Sequence, residues 1–285
     1  MALLANHLTT YTYGAPVSIC HTDVHLTPRG DHGQTVIEHS LEIEPAPDFS
    51  AERIDYFGNV VTSFSISEPH SELKIAARSI VEIERVEQVH PGLTPPWEMV
   101  RDELRRHGAT SSLRAAEFVF ESPRVATGPA FADYAGNSFE PDRPLIDAAL
   151  DLCRRIYAEF RYEPRATTVT TPVADVLRTR IGVCQDFAHL MIACLRSIGL
   201  PARYVSGYLQ SGPDSTGAEA SHAWASLYCP GLGWFDFDPT NDTMPNGKHV
   251  TLAWGRDYSD VSPVRGVAVG GGVQRIEVAV KVIAI

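Results

Sequence analysis

The chain has no run of lysine or arginine, no CxxC pair and no apolar stretch near the ~18 residues that a membrane helix requires. Each absence closes off a class of function. With 35 acidic against 24 basic residues and a formal charge of −11, the surface is poorly suited to a phosphate backbone, so no nucleic acid is expected as a partner. Five cysteines, an odd number, fit neither a disulfide framework nor a common structural zinc site, and a reducing, cytoplasmic setting is expected. The first residues, MALLANHLTTYTY, have no basic region and no apolar core of a signal peptide, so neither export nor a membrane partner is expected. There is no HExxH, no P-loop and no EF-hand loop, which predicts independence from metal and nucleotide. Cys20, His21 and His25 lie close together in sequence but lack further ligands at useful spacing, so no metal is assigned to them. No internal repeat or low-complexity segment appears.

What is present is an ordinary globular balance, 44% hydrophobic and 21% charged over 285 residues, enough for one large core or two smaller ones. Two domains are expected. Residues 1–86 alternate with period 2 between turn residues, as in Leu73 to Ile83, and Asp55 to Asn59 reads as a hairpin turn, so this part is a β-rich, sandwich-like domain. Residues 87–143 read as a partly helical connector with a short helix near Glu98 to Arg106. Residues 144–285 begin with a helical stripe, Leu145, Ala148, Ala149, Leu152, Cys153 and Ile156, with Pro144 at a first helical position, and close with an alternating strand from Gln274 to Ile285. Helices before a run of strands make this second part α+β, helices packed on an antiparallel sheet.

The stretch Arg180 to Tyr208 organises that domain. Phe187, Leu190, Met191, Cys194, Leu195 and Ile198 fall at i, i+3, i+4, i+7, i+8 and i+11, a buried helical stripe that Cys184 extends backwards by three residues. Gly199, Leu200 and Pro201 end the helix, and a strand follows from Ala202 to Leu209. A thiol in a first helical turn, where N–H groups are unpaired, is favoured as thiolate and suits a nucleophile. Asp186 in the same turn is explained by the helix dipole. Cys153 and Cys194 lie on buried stripes.

A cysteine nucleophile needs a base, and the base needs a group that fixes its tautomer. His222 to Tyr228 reads as a strand, Cys229-Pro-Gly-Leu-Gly233 as a turn, and Trp234 to Asp238 as the return. If Tyr228 lies opposite Trp234, His222 falls diagonal to Asp238 at roughly 7 to 8 Å between Cα atoms, within reach of a carboxylate–imidazole contact. Asp236 would then lie opposite Ser226, roughly 13 to 14 Å along the strand from His222.

At these residues a resemblance enters. GVCQDFAHL and SHAWASLYCPGLGWFDFDPTND resemble the cysteine, histidine and aspartate blocks of the transglutaminase-like superfamily. LTTYTYGAPV, HLTPRGD and DYFGNVVTSFSI are similar to the N-terminal domain of bacterial transglutaminase-like proteins, and GRDYSDVSPVRGV also resembles them. The resemblance implies a papain-like transglutaminase core with a Cys184, His222, Asp238 triad and no calcium site, since no acidic loop here resembles one. The tryptophan that aids the oxyanion in animal enzymes has no clear match, and Tyr162 in Phe160-Arg-Tyr162 is the substitute candidate. Trp224 and Trp234 are candidates for lining a substrate cleft, and Arg256 and Tyr258 for positioning substrate, with core packing and a solvated loop as the respective alternatives.

The expected activity is thiol-dependent hydrolysis of a peptide or amide bond through an acyl-enzyme on Cys184. Acyl transfer from glutamine to an amine uses the same triad and stays open, as does a non-catalytic peptide-binding module. A peptide or protein is the expected partner; oligomeric state is not legible.

Overall fold

The computed structural model describes residues 1–31, 33–84, 89–106, 110–212, 215–217 and 220–285. Five strands open the chain: β1 (Ala2–Val24), β2 (Gln34–Glu44), β3 (Phe49–Ile54), β4 (Val60–Ile66) and β5 (His70–Ile83). The expected turn joins β3 to β4, with Asp55 N–H donating to the Asn59 carbonyl and Gly58 at φ 81°, a conformation that suits glycine.

Helices α1 (Trp97–Arg105), α2 (Thr110–Ala116), α3 (Pro129–Gly136) and α4 (Leu145–Glu159) come next. Pro144 stands at the N-cap of α4 rather than at its first helical position, with extended ψ of 136°. Residues read as a connector supply Val100, Leu104, Phe131, Ala135 and Phe139 to the same buried cluster as α4, so this segment is built into the second core. The sequence places one short helix here, near Glu98 to Arg106; α3 is a further one, and it leaves a weak local signal because the apolar contacts that stabilise so short a helix come from distant residues.

Two-residue strands β6 (Arg161–Tyr162) and β7 (Ile181–Gly182) pair in parallel on either side of α5 (Val173–Thr179). They deliver the chain to α6 (Cys184–Ser197). Strands β8 (Ala202–Leu209), β9 (His222–Cys229), β10 (Gly233–Phe237) and β11 (His249–Gly255) form an antiparallel sheet in the order β10-β9-β8-β11. The β9–β10 register has Tyr228 opposite Trp234 and Ala225 opposite Phe237, as the turn residues suggest. The alternation in α6 predicts one buried face, yet the helix is buried nearly all round, Asp186, His189 and Arg196 included. The polar members are satisfied individually: the Arg196 guanidinium donates to the carbonyls of Ala202, Phe120 and Arg256.

After α7 (Tyr258–Val261), strands β12 (Val264–Gly270) and β13 (Gln274–Ala284) leave the second half and return to β1. The reading that attached them to the second domain is therefore corrected. β1 changes partners midway: residues 2–12 run beside β5 and 3–13 beside β13, whereas residues 20–24 run beside β4 and 17–24 beside β12. Period-2 alternation had identified the strands but not this partnership, because edge-to-edge pairing over some 250 positions leaves no local signature. Tyr208, Val250 and Leu252 of β8 and β11 pack into the core of the first sheet, tying the halves together.

Candidate active site

Cys184 begins α6, its thiol almost covered and its Sγ 4.0 Å from the Ser221 carbonyl oxygen. The turn that presents it is fastened by Asp186, whose Oδ2 accepts from Val183 N–H at 2.9 Å and from the Thr167 hydroxyl at 2.6 Å. Val183 offers no side-chain acceptor in return, so only this half of a capping box exists. Burial raises the Asp186 pKa against the effect of these bonds.

His222 begins β9, next to Ser221, and is buried. Its Nε2 lies 2.7 Å from Asp238 Oδ2. A carboxylate accepts only, so this bond keeps a proton on Nε2 and leaves Nδ1 as the nitrogen that gains or loses one. Nδ1 has no hydrogen-bond partner among the described residues and lies beside Gly217, where an added Cβ would sit 3.2 Å from it; His222 and Cys184 line one cavity, and Cys184 acts on the imidazole. Burial opposes the imidazolium, but the Asp238 carboxylate outweighs it and the His222 pKa is raised to about 10.

Asp238 sits just past β10, in a turn closed by its own N–H on Thr243 O. Its carboxylate is fully buried and would be costly there if unpaired. It accepts from His222, from His249 Nε2 at 3.0 Å, from Asn241 Nδ2 at 2.8 Å and from Thr240 N–H at 2.9 Å. Burial favours the neutral acid, yet the two imidazoles hold the carboxyl well below the usual range.

Sequence reasoning missed His249 and Asn241. Asn241 lies in the Asp238-Pro-Thr-Asn run, where its spacing was a usable signal. His249 was invisible because β8 intervenes: His222 is opposite Gly207 and His249 opposite Leu209. Gly207 makes the approach possible, since a Cβ there would come within 2.6 Å of the Trp224 ring and 2.1 Å of the Val250 carbonyl oxygen. Side-chain atoms of His222, Asp238 and His249 lie within 4.8 Å of one another, a spacing compatible with a metal ion. Their arrangement is that of hydrogen bonds instead: both Nε2 atoms converge on one carboxylate oxygen, whereas a metal needs its donors to converge on a common empty point.

The remaining candidates separate. Tyr162 and Tyr258 line the same cavity as Cys184. Burial, then the nearby Cys184, pushes the Tyr162 phenol up to about 12, so it stays a neutral donor. Trp224, Trp234 and Arg256 are not among the residues lining that cavity, and each is engaged inside the fold. Trp224 is wholly buried, donates to Asp236 Oδ2 at 3.1 Å and packs on His249 with ring centroids 5.1 Å apart. Trp234 covers the buried Arg203 guanidinium at 4.2 Å, and Arg256 forms two short bonds to Asp260. An aromatic or cationic side chain beside a motif is a poor guide to the cleft, since stacking and ion pairing inside the fold use the same groups.

Residues 4–82 match the family described as bacterial transglutaminase-like N-terminal region, and residues 132–239 match the transglutaminase-like superfamily. An uncharacterized protein of Mycobacterium tuberculosis (strain H37Rv) is 40% identical over 276 residues, covering 92% of this chain and 85% of that one. A protein-glutamine gamma-glutamyltransferase of Pseudomonas aeruginosa is 32% identical over 156 residues, covering 48% of this chain and 22% of that one. Among solved structures, a protein of Cytophaga hutchinsonii proposed to be a cysteine protease superposes with a TM-score of 0.76 at 21% identity, over 99% of this chain and 90% of that one. The mixed fold, the β-rich N-terminal region and these matches together place the chain in the transglutaminase-like superfamily.

Proposed function

We propose that the protein is a thiol-dependent amide-bond hydrolase, a peptidase or amidase, in which Cys184 is the nucleophile, His222 the acid–base and Asp238 the residue that orients it. The observation that carries this reading is the placement of His222: Nε2 is committed to Asp238 at 2.7 Å, Nδ1 is left without a partner, and the ring shares a cavity with the Cys184 thiol. Nδ1 takes the thiol proton first, since Asp238 stabilises the resulting imidazolium, and Sγ then attacks the carbonyl carbon. The oxyanion meets the free N–H groups of the first turn of α6 and the neutral Tyr162 hydroxyl. His222 returns the proton to the departing amine, then takes one from water as the water attacks the thioester, releasing the acid and restoring the thiol.

Acyl transfer to an amine differs only in the second nucleophile. Hydrolysis is favoured because water is always present, whereas transfer needs a site that holds the amine and excludes water. Among the described residues, no Asp or Glu lines the cavity to hold an alkylammonium. Incubation with a peptide library, with and without a primary amine, and mass analysis of products tests the proposal. Cleaved or deamidated peptides are expected; amine adducts in place of acid product would transfer the assignment to transamidation, and no change would leave a binding module.

A further inference from the structure

The face of β1 that carries Leu3 and Ala5 begins as core and continues, two residues at a time, through His7 and Thr9 to Tyr11 and Tyr13. Opposite them on β13 stand Val282, Val280, Val278 and Ile276. The apolar alternation of β13 persists along the strand, but its cover does not. Val282 and Val280 are 0% and 7% exposed, whereas Val278 and Ile276 are 42% and 50% exposed. Where the cover ends, a cavity of about 720 Å³ begins, and Cys184 and His222 line its other side. A covered-strand pattern that emerges uncovered beside a nucleophile leaves apolar area that a ligand would remove from water.

We propose that Thr9, Tyr11 and Tyr13 of β1, with Val278 and Ile276 of β13, form the specificity surface for the substrate of Cys184, and that it takes an aromatic or branched aliphatic, non-cationic group next to the attacked amide. The inference rests on the reading of Cys184 as nucleophile and assigns the first sheet a role in substrate selection. The cavity is of the size that encloses a compact ligand. The rings of Tyr11 and Tyr13 are stacked with centroids 6.3 Å apart, both line the cavity, and they offer flat apolar area. Burial and then Tyr13 push the Tyr11 phenol up to about 12, and burial also raises that of Tyr13, so both hydroxyls are neutral. Arg165 and Arg265 also line the cavity, and with no carboxylate among its described lining residues a cationic side chain gains nothing there.

Calorimetric binding of blocked hexapeptides to Cys184→Ala tests this, with Phe, Leu, Gly, Glu or Lys placed on either side of a central glutamine. Phe and Leu peptides should bind at least about tenfold tighter than Gly or Lys peptides. The exposed pair Val278→Ser/Ile276→Ser, checked for folding by circular dichroism, should erase that advantage and leave the Gly peptide unchanged. Absence of binding, a preference for Lys, or a preference that survives the serines would overturn the proposal. So would a dimer by sedimentation that the serines dissociate without altering peptide binding, because a second copy would then cover the face. Selective binding to Cys184→Ala without any turnover by the wild type would remove the hydrolase reading alone, and turnover indifferent to the side chain would remove the specificity surface alone.

Discussion

At the scale of the residue, burial acts against the thiolates of four cysteines. It pushes the thiols of Cys20, Cys153 and Cys194 up, and that of Cys229 to about 11, which suppresses their thiolates. Iodoacetamide should therefore label Cys184 first, and Cys184→Ala should abolish activity; equal labelling of Cys20 or Cys229 with activity retained in the variant would refute this. Two aspartates are separated by partner: Asp238 holds His222, and Asp236 holds the Trp224 indole. Asp238→Asn should lower turnover by at least about 100-fold, and Asp236→Asn by less than about 10-fold, in steady-state kinetics on folded protein. In the proposed mechanism His249 is a positioning residue, since it touches Asp238 and not the thiol's partner ring nitrogen. Its bond keeps the carboxyl ionised, so His249→Phe should move the acid limb of kcat/KM to higher pH, with His249→Gln moving it less; an unchanged profile would reduce His249 to packing. The sign for stability follows from His222, whose folded pKa is raised from 6.5 to about 10. Its contribution is full below the unfolded value and declines up to the folded one, so the melting-temperature gap between wild type and His222→Gln should narrow from pH 6 to pH 10.

At the scale of the element, α6 has two jobs joined at its first turn. Its interior packing contributes to the second core, with Leu190, Met191, Ile192 and Leu195 each wholly buried and worth about 1.5–3 kcal/mol apiece. Its start must hold Cys184 in place, which falls to Asp186 and to Gly182, where an added Cβ would sit 2.8 Å from the Asp186 Cβ. Asp186→Ala should cost about 0.5–2 kcal/mol in urea unfolding and lower kcat more than it raises KM. A stability loss with full kcat would show that the turn is held by other contacts.

At the scale of the molecule, the chain closes on itself: β13 lies along β1 from Leu3 to Tyr13, and Val282 is buried in the first core. Removing residues 273–285 should expose Leu3 and Ala5 and leave β1 half-paired, giving insoluble protein or a melting temperature lower by more than about 5 °C. A truncated protein that melts like the wild type would mean that this pairing contributes no stability.

What the sequence determined by itself is local: the helix that starts at Cys184, its stop at Gly199, the β3–β4 turn, and the β9–β10 register that brings Asp238 near His222. Each depends on residues a few positions apart, where periodicity and turn chemistry act directly. Tertiary structure alone decided the return of β12 and β13 to β1, the burial of α6 on every side, the place of His249 on Asp238, and the removal of Trp224, Trp234 and Arg256 from the cavity. These rest on contacts between distant segments, and the same side chain that reads as a cleft wall in sequence becomes a packing surface once another strand crosses it.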